Sequence, residues 1–486
     1  MTQAAFKFAS GLDIAERENL RFRRQWMILQ VADSAPDGWV RRPLVAGFEL
    51  HHHSDLAIES ASGPGWSLWG LGQVYDPMSP STRLNDLVST PPEHVEFDIE
   101  PLMPDLAGCY VLILAQGEAV KIYTDPAAMM SIFYGQGRAA STPRLLPGAE
   151  RDPEVDQAYV LRGSDDWFPG SLTPYRGIRA LLANHALDVG SGEIHRFWPR
   201  EEPERISHSQ AVERGAELLR GGVMSVIERA PTLVSLTGGR DSRVVLAAAR
   251  EAASDLEFFT IRAPGVKACD ISIPEALADR FSLNHQVIDA GVADDWVLSL
   301  YDEIGSGMVT GAVRDIVGGC QQITGPTLTH MNGNLGAMTK SYFWGSRDPK
   351  TIDSKMLIRE LIQRPECIRR GLDEWVATLP ELEPTTAYNL MYLEQRGGRY
   401  MGIRETASNL FYASATPFNS RRLFDAISSA PVDVQFGGGL LNDYVRQLWP
   451  ELLEIAYCPV TRNWGMYIPK RLKESLRRVL KQVSAR

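Results

Sequence analysis

The sequence predicts an α/β protein with two domains. These are a layered β-sheet domain over residues 1–200 and a doubly wound parallel-sheet domain, with a helical extension, over residues 206–486. Two observations support this prediction. Short apolar and aromatic runs joined by tight turns fill the first half, whereas strand and helix patterns alternate across 233–289. Residues 201–205, a polar stretch that contains a proline, form the expected hinge between the halves.

The first half has the pattern of short strands. The aromatic, glycine-punctuated residues 65–75 indicate strands and turns, and 109–115 has the composition of a buried strand. After a tight turn, residues 119–125 form a returning strand, and 131–141 show a further hairpin pattern. We therefore expect a domain of layered β-sheet.

In the second half, a helix pattern from about 210 to 229 follows the hinge. Buried strands are then expected at 233–236, 256–262, 285–289 and 327–332, with a helix at 274–281 and a mostly helical C-terminal third. Alternating strands and helices predict a parallel sheet, and such sheets bind ligands at the carboxyl ends of their strands.

The loop over 236–242 separates the first of these strands from an alanine-rich helix. Its glycines let the backbone approach phosphate oxygens, and the unpaired amides and dipole of the helix favour an anion. The hydroxyls of Thr237 and Ser242 can donate to phosphate, and Asp241 can hold a divalent ion. No Gly-Lys-Ser/Thr follows, which excludes a Walker loop. An ordinary glycine turn capped by Thr237 or Ser242 is the alternative.

Composition restricts the partners and the compartment. The net charge of −10 argues against nucleic acid as a general partner, although a local basic patch is compatible with it. The five cysteines are scattered and contain no Cys-x-x-Cys, so we expect neither a zinc knuckle nor a disulfide framework, as in a reducing cytoplasm. The first residues lack signal-peptide features, and no apolar stretch is long enough to span a bilayer. We therefore expect a cytoplasmic protein without membrane partners.

The 236–242 loop resembles the Ser-Gly-Gly-x-Asp-Ser loop of the N-type ATP pyrophosphatases, with Thr237 in the place of the usual serine. Those enzymes cleave ATP between the α- and β-phosphates while a substrate becomes adenylated. The resemblance implies ATP and Mg²⁺ as cofactors, and Asp241 as the metal ligand. It implies a nucleotide site formed by Leu236, Thr237, Gly238, Gly239, Asp241, Ser242, Thr260, Ile261, Arg262 and Gly333. For residues 260–262, plain core is an equally weighted alternative.

The first half is similar in order to the glutamine amidotransferase half of asparagine synthetase. The similarity lies in 105–113, Asp125 and 132–135, and it implies a fold like that of the N-terminal nucleophile hydrolases. The amidotransferase nucleophile is a cysteine at the mature first residue, whereas this chain has Thr2 there and its first cysteine is Cys109. We expect a domain without glutaminase activity, as in β-lactam synthetase and lasso-peptide cyclase, so that the substrate supplies the amine. A nucleophilic Thr2 is the alternative.

Residues 333–338 stand where asparagine synthetase reads Ser-Gly-x-Gly-Gly/Ala-Asp-Glu. Asn334 falls where β-lactam synthetases place a catalytic tyrosine. Ala337 or Met338 falls where the family has its second magnesium-binding acid, and that acid is missing. Candidate substitutes are Asp270 and Glu275, for which surface acids at a helix start are the alternative interpretation.

Two C-terminal segments, 416–423 and 437–453, are similar to family elements, but the family's lysine position is Asn442. In β-lactam synthetase that lysine steadies charge on the acyl-adenylate. Here Arg446, Lys340 or Arg462 would take that part.

Glu394, on a helix that resembles the one before the family's acceptor pocket, is a candidate general base. An ion pair with Arg396 or Arg399 is the alternative for this side chain.

Taken together, these residues imply an AMP-forming carboxylate–amine ligase whose partners are a small-molecule or peptide carboxylate and an amine. A homodimer is compatible with the sequence. A member that binds nucleotide or a partner without turnover is the main alternative, because the second acid, the lysine and the cysteine are all missing. Sulfur or tRNA modification is a third interpretation, and the negative charge and the lack of paired cysteines argue against it.

Overall fold

The structure is a computed structural model that describes residues 12–88, 96–161, 166–309, 314–343, 366–435 and 438–459. In these ranges the chain forms two six-stranded antiparallel sheets and one five-stranded parallel sheet. The expected mixture of layered antiparallel sheet in the first half and parallel sheet in the second is confirmed at this level.

The antiparallel sheets contain every strand before residue 200 in the described ranges. These are β1 (Trp26–Gln30), β2 (Val40–Pro43), β3 (Phe48–His52), β4 (Ile58–Gly63), β5 (Trp66–Gly72), β6 (Tyr110–Gln116), β7 (Ala119–Thr124), β8 (Phe133–Gly135), β9 (Arg138–Ala140), β10 (Arg179–Ala180), β11 (His185–Asp188) and β12 (Ile194–Arg196). Their orders are β10-β8-β9-β1-β3-β2 and β12-β11-β7-β6-β5-β4.

Burial explains these orders. β6, an apolar strand, is buried almost throughout and lies between β5 and β7. β2, which carries Arg41, Arg42 and Pro43, is an exposed edge strand. Charged residues and proline protect such an edge from pairing with another chain.

The parallel sheet is built from β13 (Thr232–Ser235), β14 (Glu257–Arg262), β15 (Asn284–Asp289), β16 (Thr329–Met331) and β17 (Ala413–Ala415). Its order is β15-β14-β13-β16-β17. The chain thus starts at the centre with β13, adds two strands on one side, and returns to add β16 and β17 on the other. Because all neighbours are parallel, the carboxyl ends lie at one edge. The order reverses between β13 and β16, where open parallel sheets form a ligand crevice.

The helices connect and cover these sheets. They are α1 (Ile14–Asn19), α2 (Leu84–Leu87), α3 (Pro153–Ala158), α4 (His208–Ile227), α5 (Arg240–Ala248), α6 (Cys269–Phe281), α7 (Asp295–Gly305), α8 (Val317–Cys320), α9 (Glu366–Ala377), α10 (Pro384–Met391), α11 (Ile403–Ser408), α12 (Arg421–Ser429) and α13 (Gly439–Leu448). A π-helical segment, Tyr392–Gly402, joins α10 to α11. In the described ranges, no helix combines the length and apolar character needed to cross a membrane.

A buried junction joins the two halves, and Arg421 lies at its centre. Its guanidinium donates to Asn184 Oδ1 at 2.8 Å, to the Met103 carbonyl at 3.0 Å and to the Thr124 carbonyl at 2.8 Å, all in the first half. A further bond reaches the Tyr110 hydroxyl at 2.9 Å. Each of the three guanidinium nitrogens is therefore paired although the side chain is fully buried.

Arg23 and Arg24 cross the junction in the opposite direction, from just before β1. Arg23 donates to the Thr324 hydroxyl at 3.1 Å and Arg24 to the Asn409 carbonyl at 2.7 Å. Buried arginines from each half thus donate to oxygen atoms of the other half. These hydrogen bonds offset the desolvation cost of burying the charges.

Candidate active site

The loop after β13 has the geometry of an anion cradle. Thr237 N–H donates to Ser242 Oγ at 3.1 Å, and the two hydroxyl oxygens are 3.0 Å apart. Gly239 N–H, at the N-cap of α5, donates to Thr237 Oγ1 at 3.2 Å. The two hydroxyls therefore hold the loop by bonding to each other and to its backbone at the start of a nine-residue helix. An anion placed there meets backbone N–H groups and the positive end of the helix dipole.

The segment after β16 packs directly on this loop. A Cβ on Gly333 would lie 2.7 Å from the Asp241 carbonyl carbon and 2.8 Å from Ser242 N. A Cβ on Gly336 would lie 2.5 Å from Asp241 Oδ1. Glycine is thus required by close approach at both positions. These contacts bring the end of β16 against the end of β13, at the point where the strand order reverses.

The Asp241 carboxylate is only partly paired. Its Oδ2 accepts from Lys340 Nζ at 2.8 Å, and both side chains are about one-third exposed. Its Oδ1 is shielded from solvent and has no hydrogen-bond partner. A partly paired carboxylate beside an anion-binding loop can hold a divalent cation, whose preferred ligands are oxygens.

A cavity of about 570 Å³ opens beside the loop. Its lining is formed by Leu236, Thr237, Asp241, Ser242, Phe259, Thr260, Ile261, Gly265, Val266, Asp270, Ile316, His330, Asn332, Gly333, Asn334, Arg404, Glu405, Ser408 and Tyr412, together with Ser235. Its volume is within the range of cavities that bind small molecules and cofactors. Most of the nucleotide-site residues expected from the sequence meet here.

A hydrogen-bonded carboxylate, Glu405, faces the cavity from α11. Its Oε1 accepts from Asn334 Nδ2 at 2.8 Å, and its Oε2 accepts from Ser414 Oγ at 2.5 Å. Asn332 holds this group further, because its Oδ1 accepts from Asn334 N–H at 3.0 Å. The carboxylate is thus oriented by neutral donors from β17 and from the segment that follows β16.

Two side chains on the same wall have unused hydrogen-bonding capacity. Both ring nitrogens of His330 are shielded from solvent and unpartnered, while its ring packs against Phe259 and Tyr412. Burial, together with the Arg404 charge, lowers the pKa of His330 to about 3, so the imidazole is neutral near pH 7. In the described part of the chain, no residue hydrogen-bonds to Arg404 or pairs with it within salt-bridge distance.

A C-terminal strap, which we define as residues 452–458, covers the outer side of the loop. Cys458 N–H donates to the Gly238 carbonyl at 2.8 Å, and a disulfide joins Cys458 to Cys269 at a Cα–Cα distance of 5.3 Å. Arg243 of α5 donates to the Leu452 carbonyl at 3.2 Å and lies over the Tyr457 ring. The expectation of no disulfide was wrong, because the two cysteines are separated by 189 residues and no local spacing indicates their pairing.

The structure places Glu394 outside the cavity. It is fully buried at the junction, where it accepts from Arg196 at 2.6 and 2.9 Å, from Trp375 Nε1 at 2.6 Å and from Asn184 at 3.0 Å. Burial acts to raise the pKa of this carboxyl, but the Arg196 charge and the hydrogen bonds hold it below the usual value. A carboxylate engaged in this way cannot reach a substrate amine in the cavity. Its salt bridge is with Arg196 rather than with Arg396 or Arg399.

Several other expected residues also lie away from the cavity lining. Arg262 is exposed and pairs with Asp289 at 2.9 Å, and Arg446 is exposed and pairs with Asp443. Glu275 is exposed, whereas Asp270 lines the cavity. Lys340 contacts Asp241 as described above. Arg462 lies outside the described residues.

Residues 337 and 338 stand where the family that the loop resembles has its second metal-binding acid. Met338 is buried in the core and Ala337 packs against it, so neither lines the cavity. In the described ranges, no group of three or more His, Cys, Asp and Glu residues is arranged to hold a metal. Among the residues that line the cavity, Asp241, Asp270 and Glu405 carry carboxylates.

Sequence reasoning missed Arg404, Glu405, His330 and the C-terminal strap. The sequence signal for Glu405 was the adjacent pair Arg404-Glu405, but Glu394, with Gln395 and Arg396, is a similar polar group earlier in the chain.

No protein-family model matches the chain, and no curated protein matches it. Among solved structures, glutamine phosphoribosylpyrophosphate amidotransferase from B. subtilis, complexed with ADP and GMP, is 10% identical. That match covers 67% of this chain and 73% of the other, with a TM-score of 0.23. A structure described as the allosteric regulatory enzyme of purine biosynthesis is 9% identical, with coverages of 66% and 71% and a TM-score of 0.23. TM-scores of this size support no argument about the fold or function of this chain.

Proposed function

We propose that this chain is an ATP-dependent ligase that adenylates a carboxylate, releases pyrophosphate and transfers the acyl group to an amine. The observation that supports this most is the convergence, in one cavity, of the 236–242 loop, the half-paired Asp241 carboxylate and the oriented Glu405 carboxylate. The first two suit a nucleotide polyphosphate with a divalent ion. The third suits an amine.

For the first half-reaction, the loop supplies binding and charge compensation. Backbone N–H groups at the start of α5 and the hydroxyls of Thr237 and Ser242 would hold the phosphates that leave as pyrophosphate. When bound, Mg²⁺ would neutralise phosphate charge, and Asp241, which lines the cavity, would hold it through its carboxylate. Lys340 Nζ, beside Asp241 Oδ2, places a second positive charge near the leaving group.

For the second half-reaction, Glu405 replaces Glu394 as the proposed general base. It lines the cavity, and its hydrogen bonds come from the neutral groups of Asn334 and Ser414. No arginine is bonded to it, so its oxygens retain acceptor capacity for an amine proton. Glu394, in contrast, is bound bidentately by Arg196.

The amine is proposed to come from the substrate rather than from glutamine. Cys269 and Cys458 are in a disulfide, and burial raises the pKa of Cys109 above its usual range and that of Cys320 to about 11. Burial also raises the pKa of Cys367. Since the thiolate is the nucleophile, none of the five cysteines is activated for glutamine hydrolysis.

One observation favours the alternative of nucleotide binding without turnover. Lys340 pairs with Asp241, the position proposed to hold the metal, and the acid expected at 337 or 338 is missing. If Lys340 substitutes permanently for the metal, the loop would bind a nucleotide without activating it.

The test combines ATP binding with isotope exchange. Titration calorimetry with ATP and MgCl₂ measures binding, and exchange of labelled pyrophosphate into ATP, with a panel of carboxylic acids, measures adenylation. We expect saturable ATP binding and exchange that depends on one class of carboxylate. Binding without exchange in any arm would favour the alternative, and absence of binding would contradict both.

A further inference from the structure

The wall of the cavity formed by His330 and Arg404 has no role in the reaction described above. His330 lies on β16 and Arg404 on α11, so the two come from separate parts of the chain and meet at one surface. Both have hydrogen-bonding groups that no described residue satisfies. Buried polar groups in folded proteins are normally paired, so unpaired groups that line a cavity indicate a ligand.

We propose that Arg404 and His330 form a subsite for a ligand carboxylate, distinct from the phosphate loop. This rests on the proposed function in that the ligand would be a reactant carrying a carboxylate that anchors it and does not react. The planar guanidinium fork matches the two oxygens of a carboxylate, and the neutral imidazole can add one N–H donor.

The surroundings of Arg404 leave its N–H groups available to an anionic ligand. The neighbouring Glu405 has its oxygens bonded to Asn334 and Ser414 and makes no salt bridge with Arg404. Burial acts to lower the pKa of Arg404, but the Glu405 charge raises it above the usual value, so the half-buried guanidinium is charged. Its N–H donors have no hydrogen-bond partner among the described residues, and the two oxygens of a carboxylate can accept from them.

The phosphates of ATP are the other source of anionic oxygens, and the site geometry favours the carboxylate. The loop at 236–242 and the start of α5 already supply donors for a polyphosphate at the end of β13. Arg404 and Ser408 lie on α11, and His330 on β16 packs against Tyr412, so these cavity residues belong to other elements than the loop. Phe259 and Tyr412 hold the imidazole in place by ring contacts at 5.3 and 4.7 Å.

The experiment measures ligand binding without ATP. Full-length protein is titrated by calorimetry with glycine, glutamate, succinate and inorganic phosphate, each alone. We expect at least one carboxylate to bind and Arg404→Gln to weaken it at least tenfold, as for a lost charge-assisted bond. Arg404→Lys should restore part of the affinity, because a point charge remains without the fork. His330→Phe, which keeps a ring between Phe259 and Tyr412, should weaken binding by about threefold to tenfold.

Matched controls separate this proposal from the ligase proposal. Arg369→Gln, on the exposed surface of α9, should leave carboxylate binding unchanged. ATP affinity should stay within about twofold in Arg404→Gln. A loss of ATP affinity as large as the loss of carboxylate affinity would assign Arg404 to the phosphates and overturn the proposal. Binding of phosphate alone, or of no carboxylate by the unmodified protein, would also overturn it, whether or not pyrophosphate exchange is observed.

Discussion

Arg421 at the junction and Arg404 in the cavity are two arginines withdrawn from solvent with opposite surroundings. Arg421 donates from all three guanidinium nitrogens to groups of the first half, whereas Arg404 has no hydrogen-bond partner among the described residues. The two glutamates differ in a related way, since Arg196 holds Glu394 while neutral donors hold Glu405. Buried polar groups whose hydrogen bonds are all made stabilise a fold, whereas polar groups without partners beside a cavity are available for a ligand. If this difference separates structural from functional residues, substitutions in the two groups should have different effects on stability and on binding.

The largest effect is expected for Arg421→Met. The substitution leaves the Asn184 side-chain oxygen and the Met103 and Thr124 carbonyls without their donor in a buried site. Each lost partner costs about 1–3 kcal/mol, so we expect a loss of about 3–5 kcal/mol in the free energy of unfolding. Urea denaturation followed by circular dichroism measures it. Arg422→Met, which removes a more exposed ion pair with Asp105, should cost less than about 1 kcal/mol. Equal effects of the two substitutions would contradict the importance of the junction.

Asp241→Asn should have the second largest effect, and on binding rather than stability. It removes the carboxylate charge beside the loop and the ion pair with Lys340, in which both side chains are about one-third exposed. We expect ATP affinity in the presence of Mg²⁺ to fall at least tenfold, with a change in unfolding free energy below about 1 kcal/mol. Asp373→Asn on α9 is the control. Gly336→Ala should reproduce the loss, since its Cβ would lie 2.5 Å from Asp241 Oδ1. Unchanged ATP binding in both variants would place the nucleotide elsewhere.

The two glutamates lead to opposite predictions: substitution of Glu394 should affect stability, and substitution of Glu405 should affect the reaction rate. Glu394→Gln breaks a buried pair with Arg196 and should destabilise the protein by about 3 kcal/mol. Glu405→Gln keeps an acceptor for Asn334 and should change stability little, while it slows amine-dependent release of AMP by about 10²-fold or more. Chemical denaturation and an AMP-release assay, run on both variants, decide the assignment. Normal AMP release in Glu405→Gln would remove this residue as the base.

The contrast between these glutamates also explains what the sequence could and could not predict. The strands, their alternation with helices and the 236–242 loop follow from local patterns, and the structure contains them. The choice between Glu394 and Glu405 does not, because eleven residues of regular α-helix would place both on faces only about 20° apart. The π-helical segment Tyr392–Gly402 changes the angle between the two side chains about the helix axis, and no periodicity in the sequence indicates this segment. The Arg421 contacts and the Cys269–Cys458 pairing depend on tertiary packing in the same way.

Stability should fall in mild acid through two buried histidines, one in each region. Burial lowers the pKa of His185 to about 4 and contributes to a pKa of about 3 for His330, against about 6.5 when unfolded. Because both pKa values are lower in the folded state, the folded protein favours the neutral histidines. Their contribution to the free energy of unfolding is complete above pH 6.5 and is lost as pH falls towards 4. At pH 5 the loss is about 2 kcal/mol for each. Urea denaturation at pH 7.5 and pH 5.0 should show it, and His185→Gln or His330→Phe should each reduce the difference. A difference unaffected by either variant would assign the acid sensitivity to other groups.

The smallest effect is expected at the strap. A dithiol reduces the Cys269–Cys458 disulfide to two thiols and is itself oxidised to a disulfide. The hydrogen bonds from Cys458 N–H to the Gly238 carbonyl and from Arg243 to the strap carbonyls do not depend on that bond. Because these contacts persist, the strap should loosen rather than detach, and ATP affinity should fall only about twofold to fivefold. Cys458→Ser should match the effect of the reductant and become insensitive to it, whereas Cys367→Ser should remain sensitive. If the reductant changes ATP affinity in Cys458→Ser as much as in the unmodified protein, the effect does not pass through this disulfide. A loss of ATP affinity larger than fivefold would mean that the strap determines the shape of the loop. The cavity would then depend on tertiary contacts for its structure, as the junction does.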